Sequence, residues 1–531
     1  MSEIVGHVAQ AEYPDSIYIV RKPESDLLLG DILKIRDRIT KREYLVRVYN
    51  AYHGLTSISE RLASLATKVP KVASTIKSEH FYDVYVASPL CIIEHDAEAV
   101  KAFPAKTLPT QLSPVCIPEV HDFGFLKDLE GFDLPLGLLR TRTTGGERNI
   151  SICLKGEFIP RHIGVYAITG KGKTNVVLIL LLSLLKSEGN YSALVFDAHN
   201  EYYFGSVKLR GLREVEEKFE GRVKRYDLKE KYAPKISPHN VAPGLLRYIM
   251  ELSEAQYEAC LAYYRKGGEN WILNILSETN AIQRGEISVP TITGVRPNTL
   301  FALARKLDLV LDGVVVYRQK AENDLVKAVL EDLDKKCVVI INLQDLSDIQ
   351  EKIVTNILSE SLLDERRALQ NRDPSELGRK PIVLVVLEEA LSVLSQSILR
   401  KGDNVFAHIV REGRKFRVGL LPVVQIPRRL DEDVASQINT NIILGTAQQA
   451  DRAFIAESAQ QDLATLTNEM KMLDVGEALV SFPAEVPFPL PVKIFHFNEY
   501  AEKISETSSI TPARKEVKTS KTEVDVAPPS L

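Results

Sequence analysis

Over the first 60 residues, apolar and polar positions alternate in short runs. Residues 16–20 (SIYIV) are β-branched and aromatic, 30–35 alternate after a glycine turn, and 44–49 alternate again. Period-two runs this close together predict the strands of a small β-barrel. Residues from about 56 to 80 read as helical, and 81–93 return to strand character. Between about 102 and 135, Pro, Asp and Gly accumulate, which predicts loops and a boundary. The pattern therefore assigns 1–100 to the barrel and 101–135 to an irregular connection.

From about residue 136 the pattern changes. Apolar runs at 164–168, 193–196, 338–343, 382–387, 419–424 and 442–444 alternate with helical stretches. Near-continuous Val/Ile/Leu runs are how strands buried on both faces of a parallel sheet read. The expected fold is α/β, a parallel-rich sheet spanning 136–504. A helical stretch from about 240 to 335 is too long for a single crossover and reads as an inserted subdomain. Residues 505–531 are rich in Ser, Thr, Lys, Glu and Pro, a composition that predicts disorder.

Composition narrows the class. Lys and Arg total 67 against 71 Asp and Glu, so the formal net charge is −4. That excludes a uniformly basic coat for nucleic acid and leaves room for local basic patches. The five cysteines (91, 116, 153, 260 and 337) are scattered, which argues against a disulfide framework or a zinc ribbon and for a reducing cytoplasm. The strongest apolar run, 176–185, is shorter than a membrane span needs, and the first residues do not read as a signal peptide.

Candidate chemistry begins at residues 167–174, AITGKGKT, which fit the phosphate-loop pattern with Ala at the first position, where Gly is more usual. A strand precedes the loop and a helix beginning near Asn175 follows it. Gly170 and Gly172 let backbone N–H groups close around the β- and γ-phosphates of ATP. Lys173 neutralises the β/γ oxygens and Thr174 ligates Mg²⁺. Lys171 is a second cation in a variable position. The candidate nucleotide set is Gly170, Lys171, Gly172, Lys173, Thr174 and Asn175.

The strand at 382–387 ends in Glu388 and Glu389. Such a pair also suits a solvated helix N-terminus, but the phosphate loop upstream favours hydrolysis chemistry. Glu388 is then placed to hold the Mg²⁺ shell through water, and Glu389 to orient or deprotonate the attacking water. Residues 196–202 (FDAHNEY) follow the second strand, so Asp197, His199 and Glu201 either reach the ligand crevice or cap a polar turn. Arg411-Glu412-Gly413-Arg414-Lys415-Phe416-Arg417 precede the strand at 419. An arginine held there on a short turn suits transition-state stabilisation in a neighbouring subunit, although charge runs are commonly plain surface.

These blocks, together with RH at 161–162, VLEEA at 386–390, QIPRRLD at 425–431, SQINTNIIL at 436–444 and LDVGEALV at 473–480, resemble the archaeal HerA DNA translocases in order and spacing. The resemblance implies a RecA-like P-loop ATPase core, an N-terminal barrel and a hexameric ring. It implies ATP-driven movement along double-stranded DNA with a NurA-like nuclease partner in end processing and repair. Carried over by residue, Lys173 and Thr174 hold phosphate and Mg²⁺, and Glu389 is the catalytic glutamate. Arg414 is the arginine finger given in trans, Arg161 a second arginine near the nucleotide, and Gln425 a γ-phosphate sensor. The chain departs from the family at Lys171, where a small residue is usual, at Asn200, where glycine is usual, and at Leu391. Two other readings share the same residues: a secretion- or conjugation-type DNA pump, and a ring that scaffolds a nuclease without working as a motor.

Overall fold

The computed structural model describes residues 3–507, apart from 13, 15, 56–80, 97–99, 128–131, 145–149, 318–323, 401, 403 and 483–485. The expected helix at 56–80 lies outside the described residues.

Seven antiparallel strands come first: β1 (Ile4–Glu12), β2 (Ser16–Arg21), β3 (Ile32–Arg36), β4 (Glu43–Leu55), β5 (Phe81–His95), β6 (Val100–Phe103) and β7 (Pro114–Cys116). Their order is β2-β1-β7-β3-β4-β5-β6. β2 also pairs with β5, Ile17 opposite Ala87 and Val20 opposite Val84, which closes six of the strands into a barrel. Val8, Ile17, Ile19, Leu33, Ile35, Tyr44, Val46 and Val48 form its core. The barrel does not end at residue 100 as the composition suggested. β7 sits between β1 and β3, so the wall is complete only at Cys116. The Pro-rich surroundings of this three-residue strand hid it from a reading of the pattern.

Lys34 of β3 is buried, with Nζ 2.6 Å from Asp122 Oδ1 and 3.0 Å from Glu43 Oε2. His95 and His121 approach the same Asp122 oxygen, at 3.3 and 3.5 Å. The ammonium ties the turn Val120–Phe123, which leads out of the barrel, to its wall.

The second sheet holds β8 (Phe132–Leu139), β9 (Ser151–Lys155), β10 (Ile163–Ala167), β11 (Tyr191–Asp197), β12 (Val223–Asp227), β13 (Val338–Asn342), β14 (Ile382–Leu387), β15 (Val418–Val424), β16 (Thr440–Gly445), β17 (Glu477–Ser481) and β18 (Leu490–Ile494). Its order is β12-β13-β11-β14-β15-β10-β16-β17-β18-β8-β9. The first seven are mutually parallel and the rest antiparallel. One strand, β15, separates the phosphate-loop strand β10 from the acid-bearing β14, the RecA-like arrangement. Every residue of β10, β11, β13, β14, β15 and β16 is buried, which is why these segments read as unbroken apolar runs. Helix α1 (Lys173–Lys186) is buried from Val176 to Leu185, so the apolar run is a core helix.

Strands β8, β9, β12, β17 and β18 are additions to the expected sheet. β8 and β18 carry prolines (Pro135, Pro491) that blur the pattern. Gly137 of β8 lies where β18 passes so closely that a Cβ would overlap the Lys493 carbonyl oxygen. Between β12 and β13 come the helices Pro243–Ile249, Glu254–Gly267, Trp271–Gln283, Pro297–Val310 and Leu325–Asp334, the third of which opens on the fully buried Trp271. Its Nε1 donates to the Val241 carbonyl at 2.9 Å. A final helix, Phe497–Thr507, keeps residues 505–507 ordered beyond the expected start of the tail; the remaining tail lies outside the described residues.

The two sheets are joined by a buried ion pair. Arg47 of β4 is fully buried, with Nη2 2.7 Å from Glu469 Oε1 and Nη1 2.9 Å from the Pro489 carbonyl. Glu469 sits on the helix Thr467–Met472 beside the second sheet. Removing one member of a buried pair strands the other charge. Glu469→Ala is expected to destabilise the protein by about 3–5 kcal/mol, and Arg47→Met/Glu469→Leu by less than the single change. Calorimetric melting of the three variants checks this; equal melting temperatures for Glu469→Ala and the wild type would refute it.

Candidate nucleotide-hydrolysis site

β10 ends at Ala167, and the loop after it bends through two left-handed glycines, Gly170 at φ +83° and Gly172 at φ +99°. A Cβ at either position would meet nothing within 4 Å. Their backbone angles, not crowding, demand glycine, and the space they border is open. Lys173 and Thr174 open α1 directly after the turn. Burial lowers the Lys173 pKa, while Glu388, Glu389 and Glu201 pull the other way. Thr174 Oγ1 donates to Glu201 Oε2 at 3.1 Å. Thr169 Oγ1 lies 3.2 Å from Gln425 Oε1, which places Gln425, just past the end of β15, beside the loop.

Two members of the candidate set are engaged elsewhere. Lys171 Nζ donates to the Leu473 carbonyl at 2.6 Å. Asn175 Nδ2 donates to the Phe495 carbonyl and its Oδ1 accepts from Phe497 N–H, both at 2.8 Å. Both anchor the loop and α1 to the strands and helix at the far end of the chain.

The acids follow β14. Burial pushes Glu388 up to about 8, Asp197 and Glu201 add to the rise, and Lys173 opposes it. Its Oε2 is buried and has no hydrogen-bond partner. An orphaned carboxylate oxygen near Lys173, with the Thr174 hydroxyl close by on Glu201, fits a divalent cation bound with a nucleotide. Glu389 is exposed, with Oε1 3.6 Å from His199 Nε2.

The FDAHNEY segment divides into two roles. Asp197 is fully buried and caps the turn, accepting from the N–H groups of Glu201 at 3.1 Å and Tyr202 at 3.0 Å. Glu201 and His199 face the site, on Thr174 and Glu389. Of the two roles the sequence left open for this segment, Asp197 takes the polar cap, and Glu201 and His199 take the crevice. Asn200, where the family usually has glycine, adopts φ +59°, a left-handed angle that asparagine tolerates better than most residues.

The arginines lie elsewhere. Arg414 stands in the last turn of the helix Val405–Phe416, not on a free turn as the sequence suggested, and Arg417 caps that helix at φ +60°. Arg161, Arg414 and Arg417 line one cleft with Phe158, Tyr191 and Ile382. The Arg161 guanidinium stacks on the Phe158 ring, 3.9 Å from its centroid. This cleft borders the amino ends of β10, β11, β14 and β15, whereas the phosphate loop, Asp197, Glu388 and Gln425 follow their carboxyl ends. Five residues of β10 separate Arg161-His162 from the phosphate loop, roughly 17 Å at the usual rise. Arg161 and Arg414 are therefore not beside the phosphate loop of their own chain. Arg417, a third arginine of the cleft, had been read only as part of a charge run.

His162 sits between the arginine-bearing elements, 3% exposed and at φ +66°. Its Nε2 lies 2.9 Å from the Val410 carbonyl and its Nδ1 accepts from Leu420 N–H at 3.0 Å. That pair of partners requires the neutral ring with the proton on Nε2.

A family model described as "Helicase HerA, central domain" matches residues 135–362. The DNA double-strand break repair helicase HerA of Saccharolobus solfataricus is 30% identical over 373 residues, covering 66% of this chain and 67% of that protein. The chain belongs to the HerA helicase family. The HerA of Sulfurisphaera tokodaii is 26% identical over 354 residues, 62% of this chain and 64% of the relative. A probable helicase of Methanocaldococcus jannaschii is 24% identical over 494 residues, 87% of this chain and 91% of that one. Among solved structures, VirB4 of Thermoanaerobacter pseudethanolicus aligns at a TM-score of 0.46 with 13% identity, covering 69% of this chain and 97% of that one. Among the described residues, no helix is long and apolar enough to cross a membrane.

Burial lowers the His162 pKa to about 4, against about 6.5 for a free imidazole. A depressed histidine pKa means that the unfolded chain binds the proton first as pH falls. The contribution of this residue is complete above pH 6.5 and is lost as pH drops toward 4, by up to about 3 kcal/mol. The melting temperature of wild type is expected to fall across that window more steeply than that of His162→Asn. Parallel slopes in a pH series would contradict the assignment.

Proposed function

We propose that this protein is an ATP-driven motor that moves along double-stranded DNA as a ring of identical subunits, a homohexamer, and works with a NurA-like nuclease in DNA end processing in the cytoplasm. Membership of the HerA family supports the motor. The observation that carries the ring is the position of the arginines. They occupy the rim of the sheet opposite the phosphate loop, so a single chain holds two half-sites that face different directions.

In this reading ATP sits between subunits. Gly170 and Gly172 leave room for the phosphates, whose oxygens accept from backbone N–H groups, and Lys173 neutralises the β/γ oxygens. The Thr174 hydroxyl and the Glu388 carboxylate would hold Mg²⁺, which when bound would neutralise charge on the phosphates. Glu389 orients the attacking water and takes its proton, with His199 steering the carboxylate. Gln425, on Thr169 of the loop, responds to the γ-phosphate. Arg414 of the neighbouring subunit, with Arg161 beside it, stabilises charge on the transferring phosphoryl group. A near-neutral chain can still bind DNA this way, because a ring concentrates a few basic side chains from each subunit around one channel. Such binding is steeply salt-dependent.

Lys173→Ala is expected to lower ATP turnover at least about 100-fold while rings persist in sedimentation. Arg414→Ala alone is expected to be inactive as well. Mixed with Lys173→Ala, it should recover turnover, because intact loops then meet intact arginines across subunit boundaries. DNA-stimulated turnover surviving in Lys173→Ala overturns the hydrolysis site, and mixtures no more active than their parts overturn sharing between subunits.

A further inference from the structure

His162 lies between the two arginine-bearing elements without itself reaching the cleft. We propose that it is the positioning residue that sets Arg161 and Arg414 relative to one another, so that both meet the nucleotide of the neighbouring subunit together; this rests on the reading that those arginines act in trans.

The geometry that carries it begins in the sheet. β10 and β15 are neighbours, yet their register shows only Val165 opposite Val423 and Tyr166 opposite Val424. Toward their amino ends the imidazole of His162 takes up the N–H of Leu420. From its other nitrogen the ring donates to the Val410 carbonyl. In an α-helix that carbonyl receives the N–H of the residue four positions on, which is Arg414. One ring thus links the peptide after Arg161, the strand after Arg417 and the helical turn that presents Arg414.

The backbone around the ring is built to the same end. His162 is held at φ +66°, an unfavourable angle for a residue with a Cβ, so its surroundings must fix it. Asn439 N–H donates to the Arg161 carbonyl at 3.0 Å and Thr440 N–H to the His162 carbonyl at 3.1 Å, locking both peptides onto the chain entering β16. Two glycines of the REGRKFRVGL block allow the close fit. A Cβ on Gly413 would overlap the Val418 carbonyl, and one on Gly419 would overlap the Ile159 carbonyl, in the turn Gly156–Arg161 that carries Arg161. Gly413 thus lets the Arg414 helix close onto the start of β15, and Gly419 lets the Arg161 turn close onto the same strand. A displacement of about 1 Å at a catalytic group can cost about 100-fold in rate.

The test uses full-length protein and the direction of donation. His162→Asn keeps a polar side chain with a Cβ at this φ +66°, ψ +146° position but is too short to bridge Leu420 and Val410. The reference is the mixture of Lys173→Ala, which donates arginines, with Arg414→Ala, which supplies the loop. Adding His162→Asn to the donor is expected to cut the recovered turnover at least tenfold. Adding it instead to the Arg414→Ala subunit is expected to leave the recovered turnover in place, because that subunit supplies only the loop to a working site and its own Arg161 faces no intact site that has Arg414. Equal losses in both arrangements would show a general structural role and overturn the proposal, as would no loss in either. If the reference mixture itself recovers no turnover, the trans reading fails first, and that outcome is distinct from both.

Discussion

Parallel strands give a sheet two unlike rims, and the chemistry of this chain is divided by that fact. Each central strand enters on one rim and leaves on the other. β10 follows Arg161-His162 and ends at the phosphate loop. β15 follows Arg417 and ends at Gln425. β14 starts at Ile382 in the arginine cleft and ends at Glu388. With these central strands running the same way, their leading ends share one rim and their trailing ends the other. The charges that polarise phosphate and those that answer it are held apart by the length of the strands, and in the proposed cycle only a second copy closes the distance.

Within one rim the charges are poised rather than settled. Glu388, Glu389 and Glu201 face Lys173, and burial with the charges of Asp197 and Glu201 pushes Glu388 up to about 8. Burial holds that carboxyl well above the ordinary carboxylate range, with an oxygen that no donor reaches. The chain tolerates this because the neighbouring groups are satisfied within the fold: Asp197 by the turn it caps, Thr174 by Glu201, and Glu389 by His199. Each of these last two contacts holds a group of the proposed chemistry on a partner that can release it.

Much of this was legible in the sequence because buried parallel strands and phosphate loops are local signals. The six expected strands of the parallel core stand within two residues of their predicted ends, and β14 matches at both. Gly170, Gly172, Lys173, Thr174, Glu388 and Glu389 fall together, since one strand–loop–helix and one strand end define them. What was not legible depends on partners distant in the chain. β8 and β18 are held by neighbours that override Pro135 and Pro491. β7 closes the barrel from within a Pro-rich stretch. The hold on Lys171 by Leu473 and on Asn175 by Phe495 and Phe497 spans some 300 residues, and no local pattern announces it. Arg414 was singled out from its block, but its side of the sheet follows only from strand direction.

The Arg47–Glu469 pair gives the barrel a mechanical character. Both members of this pair are buried, and Arg140 also reaches Glu469, so pulling the pair apart strands charge. The barrel is thus bolted to the second sheet rather than hinged on it. Force applied to its wall passes into the Thr467–Met472 helix, one residue before the carbonyl that grips Lys171 of the phosphate loop. A load on the barrel therefore has a short route to the rim of the nucleotide site, shared with the barrel residues Ile32, Leu45, Cys91 and Ile93 that join the second core.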